Sequence, residues 1–302
     1  MKRIDLDHRQ LDSFAFALID PLRGDDSAHA AWAEFSLHEL APASFAAQAV
    51  QLPKLVDLSK IHGDTHDKLH HLLLSQSPPI GASLCVALLK TMADAERMVM
   101  HFRHVLAPRF PQGQRGLFLA HDPAVFEQLA WMLPNKAMSA LLGPVSAWAM
   151  PLRGAWYMHE SAPESAVRTL HFHLDAATWQ RVQRIGAIHA VLNAESMWRS
   201  APAEWGSRAE KLLIRAEQYQ LVDRDDAVAF ASHGLRWHAA IDKHPRVEAL
   251  LQSCIGHPAR YQRLANLWTD ADWQAIAEAL GAPTSTHAMP DSANLMSQGA
   301  CQ

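Results

Sequence analysis

The segment KIHGDTHDKLHH, residues 60–71, places four histidines and two aspartates within twelve positions. His62, His66 and His70 recur every fourth residue, which on a helix aligns them along one face. Imidazoles and carboxylates at this density can hold a transition metal, and a metal can activate water for hydrolysis. His66-Asp67 is also the dipeptide at the centre of many metal phosphohydrolase sites. Two readings follow. In one, His62, His66, Asp67 and His70 form the metal centre of a hydrolase. In the other, the segment is a solvated helix face whose imidazoles titrate near neutrality and bind no metal. Gly63 and Asp64 favour the second, because both suit a turn or a cap and would start the helix after His62. Nineteen histidines are spread along the whole chain, so any one cluster is less informative.

Other candidates are weaker. His171 and His173 in LHFHLD (170–175) share one side of a strand, with no third ligand indicated. The chain contains no H-E-x-x-H, G-x-S-x-G, P-loop or G-x-G-x-x-G pattern. Cys85 sits in an apolar run and reads as a core residue. Asp20-Pro21 and Asp122-Pro123 each close an apolar run. A carboxylate there can be catalytic, but Asp122 is better placed to cap a helix beginning at Pro123.

Composition bounds the rest. Of 302 residues, 49 % are hydrophobic and 19 % charged, which suits a globular protein with a real core. The net charge of −4, without a basic cluster, argues against nucleic acid as a partner. Cys85, Cys254 and Cys301 are too few and too scattered for a disulfide framework. No apolar stretch is long enough to span a membrane, and no signal peptide is evident. The expected location is the cytoplasm.

The elements that must position these residues follow from periodicity. FAFALID (14–20), PKLVDL (53–58), GASLCVALL (81–89) and RGLFLAHDP (115–123) read as strands. SAWAMPL (146–152) and AWYMH (155–159) read as a hairpin around Arg153-Gly154. Helical patterns lie between them, including 94–106, the stretch after Pro123, and a short helix closed by Gly143-Pro144. An α+β or α/β fold is expected: an N-terminal lobe over 1–160, with a mixed sheet and flanking helices, then a linker around 160–167. The lobe over 168–281 reads as all helical, starting with a helix over 175–192 capped by Asp175. The tail 282–302 is expected to be disordered.

These segments resemble the type VI secretion effector chaperones, also called adaptors. Members open with an aromatic-x-x-Leu-Ile-Asp strand, matched by FAFALID, and continue with a proline before Leu-Val-x-Leu, matched by PKLVDL. The strongest match is a strand ending in Asp-Pro, a helix, then Gly-Pro and an aromatic. It corresponds to LFLAHDPAVFEQLAWMLP (117–134) and LLGPVSAW (141–148). The similarity covers roughly 14–150 and is weaker over 170–252. The family usually carries an arginine and an aromatic just before Asp-Pro, where this sequence has Leu119, Ala120 and His121. The resemblance implies a non-enzymatic cytoplasmic protein without a cofactor. It would bind a secreted toxic effector and help load it onto the spike-tip protein of the secretion apparatus. Asp20, Asp122, Pro123, Gly143, Pro144 and Trp148 would be motif residues with structural roles. Of Trp198 and Trp205, which flank the polar stretch RSAPAE (199–204), at least one is expected to be exposed and to contact the effector.

Overall fold

The computed structural model describes residues 1–24, 26–32, 34–75, 83–113, 116–161, 172–194 and 204–281. Trp198, His171, Cys301 and the 282–302 tail lie outside them. The chain divides into two compact units, 1–185 and 186–302.

Among the described residues the first unit is built on seven strands: β1 (Lys2–Ile4), β2 (Phe16–Ile19), β3 (Leu37–Glu39), β4 (Lys54–Asp57), β5 (Cys85–Lys90), β6 (Ala147–Leu152) and β7 (Ala155–Glu160). They form one sheet in the order β1-β7-β6-β5-β2-β4-β3, and every neighbouring pair is antiparallel. The fold is therefore α+β, and the mixed sheet expected from alternating strand and helix patterns is corrected. Alternation alone does not fix direction, and here even long helical excursions return the chain antiparallel, as between β5 and β6. The hairpin turns at Arg153-Gly154, where both residues take positive φ.

Period-two alternation sends side chains to both faces. Ala17, Val56, Leu88 and Ala149 pack on one face with Trp32, Leu69 and Leu73 from the helices Asp26–Trp32 and Asp64–Ser75. On the other, Trp148 stacks on Phe126 with ring centroids 4.7 Å apart, and Phe102 meets its edge at 5.8 Å. These two rings come from the helices Pro123–Met132 and Ala95–Leu106. Helices thus cover both faces, which explains the nearly unbroken burial of β2 and β5.

Residues 116–119, expected to be part of a strand, are irregular. Their backbone groups bond locally instead of joining a ladder: Phe118 N–H donates to Leu106 O, Ala120 to Phe118 O and Asp122 to Leu119 O. Phe118 is the apolar anchor of this loop, stacked 5.2 Å from Phe172. The boundary between units also falls later than the 160–167 linker. Helix Ala176–Gln183, capped by Asp175 as expected, packs on Pro123–Met132 through Arg181, which donates to Met132 O at 2.9 Å and covers Trp131. The single helix expected over 175–192 breaks at Arg184, and a second helix runs Ile185–Ala194.

Every regular element described in the second unit is a helix. Its core includes Phe230 and Tyr261, with His233 stacked on Trp273 at 4.2 Å. Gly234 allows the helices Trp205–Gln218 and Arg224–Arg236 to touch, since a Cβ there would overlap the Leu212 side chain. Thr269 and Asp272 form a capping box at the start of the helix Asp270–Ala279.

Candidate functional site

The motif residues converge in the first unit. Asp20, at the end of β2, accepts from Arg23 Nε at 3.1 Å and from the Leu22 N–H at 3.0 Å. Arg23 Nη2 also donates to Asp122 Oδ2 at 2.5 Å, so one guanidinium ties two segments 99 positions apart. Asp122 caps its helix as expected, accepting from Ala124 N at 2.8 Å and Val125 N at 3.2 Å, with Pro123 in the first turn. His121 is buried beside this knot, its Nε2 3.9 Å from Asp20 Oδ2. Burial lowers its pKa despite the pull of Asp20 and Asp122. Arg23, three residues after Asp20, is thus the cation that Asp20 and Asp122 share.

The same helix is held further along by a partly buried ion pair between Glu127 and Arg153 of the hairpin turn. Gly143 takes φ 54° and ψ −114° at the end of helix Asn135–Leu142. A Cβ there would overlap the His101 ring, whose Nε2–H donates to Leu141 O at 2.9 Å. The Pro144 carbonyl accepts from Thr91 Oγ1 at 2.7 Å. Trp148 is buried between Phe102 and Phe126. Asp20, Asp122, Pro123, Gly143, Pro144 and Trp148 are thus framework residues. Cys85 is fully buried, and burial pushes its thiol up to about 12, far from a reactive thiolate.

The aromatic pair fares differently. Trp205 is 6 % exposed, so of the two it is not the exposed one, and Trp198 lies outside the described residues. It opens a helix and points inward with Ala209, Leu212 and Leu213 at helical spacing, all buried.

The histidine segment forms a helix from Asp64 to Ser75, preceded by Gly63 at φ 62°. His62 therefore stands before the helix and is exposed, and Asp67 is also exposed, its carboxylate 3.9 Å from His66 Nδ1. The carboxylate that meets the histidines is Asp12, from the turn before β2. Its Oδ1 lies 3.0 Å from His66 Nε2 and 3.1 Å from His70 Nε2, and the two rings are 4.1 Å apart. Asp12 is exposed, His66 half-buried and His70 buried. The three border a cleft of about 480 Å³ walled by Leu11, Phe14, Leu58 and Leu69, with His62 also on its lining. Nothing local in the sequence marks Asp12, which lies 54 positions before His66. His173 is exposed and makes an isolated bridge to Arg109.

No helix among the described residues is long and apolar enough to cross a membrane. Comparison of the chain with protein-family models, with curated proteins and with solved structures gives no match.

Proposed function

We propose that the chain is a non-enzymatic adaptor. It binds a toxic effector of a type VI secretion system in the cytoplasm and helps to load it onto the spike tip. The observation that supports this reading is the Arg23 knot. The two segments that carry the family resemblance, 14–20 and 117–134, are joined by the Asp20–Arg23–Asp122 ion pairs. Motifs far apart in sequence thus build one framework, as expected of a family defined by its scaffold. The helical second unit agrees with the helical C-terminal part of that family.

The test is genetic and biochemical. Deleting the gene should abolish secretion of the toxin encoded at the same locus while secretion of the spike and tube continues. Co-expression should give a stable complex with that toxin. Normal secretion of the toxin without this protein, or a genome without such a locus, overturns the reading.

A metal-dependent hydrolase is the alternative, and one observation favours it: His66 and His70 share a carboxylate at the edge of a cleft. Hydrolysis of a phosphoester by metal-loaded protein, lost in His66→Gln, would support it over the adaptor.

A further inference from the structure

We propose that Asp12, His66 and His70 form a binding site for a first-row divalent transition ion, with zinc as the reference ion. The inference is independent of the adaptor reading, because it concerns a different cluster and a different measurement.

Three features carry it. The first is convergence. Both imidazole Nε2 atoms approach one oxygen of Asp12, at 3.0 and 3.1 Å. In a tetrahedral site with bonds of about 2.0–2.1 Å, neighbouring ligand atoms are roughly 3.3 Å apart. The observed separations are within a few tenths of an ångström of that edge, so small side-chain rotations would admit an ion. The second is spacing. Histidines at i and i+4 on one helix place both rings on a single ion, the arrangement used by helix-borne zinc sites. The third is support. The helix carrying the histidines is anchored by Leu69 and Leu73, both 3 % exposed. Asp12 lies between buried Leu11 and Phe14, in a turn closed by Ser13 N–H to Gln10 O and Phe14 N–H to Leu11 O. Ligands held on anchored elements lose little freedom when an ion binds.

The donor set defines the ligand class. Two neutral imidazoles and one carboxylate suit zinc, cobalt, nickel or ferrous iron, and do not suit calcium or magnesium, which prefer all-oxygen shells. Without metal, each Nε2–H can donate to the Asp12 carboxylate. With metal, the Nε2 lone pairs bind the ion, and each neutral ring carries its proton on Nδ1. With three protein ligands, the remaining coordination position would be left for water or a small anion from the cleft, as in zinc sites that retain an exchangeable ligand.

The test uses the full chain without a histidine tag, stripped with a chelator. Zinc is titrated in competition with a chromophoric chelator. Cobalt is titrated in parallel, and its visible d–d bands report the geometry. Equimolar binding is expected. Asp12→Asn and His66→Gln should each weaken it on the order of tenfold or more. The Asp12 and His66 side chains are 54 % and 37 % exposed, so these variants should keep the fold, which circular dichroism checks. His71→Gln, an exposed histidine on the same helix, should leave affinity unchanged. Binding that survives both ligand variants, falls equally in His71→Gln, or is absent in the wild type would overturn the proposal.

Discussion

Asp122 offers the most direct measurement of how the framework holds. Its carboxylate accepts two backbone N–H groups at the start of helix Pro123–Met132 and also receives Arg23. Losing a side-chain N-cap costs about 0.5–2 kcal/mol. The ion pair is partly buried, with side-chain exposures of 20 % and 27 %. Arg23 keeps Asp20 as a partner when Asp122 is removed, so no orphaned charge is created. Its loss should therefore add only about 1 kcal/mol. Asp122→Ala should cost about 1.5–3 kcal/mol in all. For a unit of this size that lowers the melting temperature by about 3–12 °C. Asparagine caps nearly as well as aspartate but carries no charge, so Asp122→Asn should cost only about 1 kcal/mol. In an Arg23→Met background, Asp122→Asn should cost almost nothing further. Thermal and urea unfolding of the four variants measure these differences. Equal losses for Ala and Asn would refute the capping role. An Ala variant as stable as wild type that no longer binds its toxin would show that the carboxylate acts in recognition instead.

Gly143→Ala should destabilise the first unit by about 1–3 kcal/mol, because it combines a strained backbone position with overlap on the His101 ring; unchanged urea unfolding would contradict this. Stability should also fall below neutral pH. Burial lowers the pKa of His101 and of His233 from 6.5 to about 4. Above 6.5 neither the folded nor the unfolded state holds the proton, and stability is whole. Below 6.5 only the unfolded chain takes it up, so stability declines until the folded histidines titrate near 4. Between pH 7 and 5 each group should remove about 2 kcal/mol. Unfolding measured at both pH values should show this loss, and His101→Gln should reduce it for the first unit, leaving the part due to His121 and His159, whose pKa values burial also lowers.

Much of the scaffold could be read from local pattern. FAFALID, PKLVDL and the Arg153-Gly154 hairpin announced β2, β4 and the β6–β7 pair, because burial on sheet faces writes itself into short apolar runs. The Asp122 and Asp175 caps were legible for the same reason: they act within three residues of themselves. What escaped was non-local or weakly patterned. β1 (KRI) and β3 (LHE) are three-residue edge strands with charged side chains, lacking the apolar alternation that marks a strand. The run LFLA imitated a strand because Phe118 is an anchor in a loop, and a single buried aromatic can raise the apolarity of a whole window. The site showed the same limit. His66 and His70 were visible as a pair, but the carboxylate they meet comes from another element, and neighbouring Asp67 drew the eye instead. Trp205 reads as exposed only when its polar upstream neighbours are weighed, whereas the helix that follows it sets its inward direction.

The pairing of β1 with β7, Lys2 opposite Met158, also sets an order of events during synthesis. At about 5–20 residues per second, the ribosome needs roughly 8–30 s between making β1 and making its partner. For that interval β1 has no strand to pair with. When β7 appears, its outer edge is bare until β1 returns. A fusion placed ahead of Met1 would therefore load the strand that closes the sheet, while one placed at the far end would leave that closure untouched.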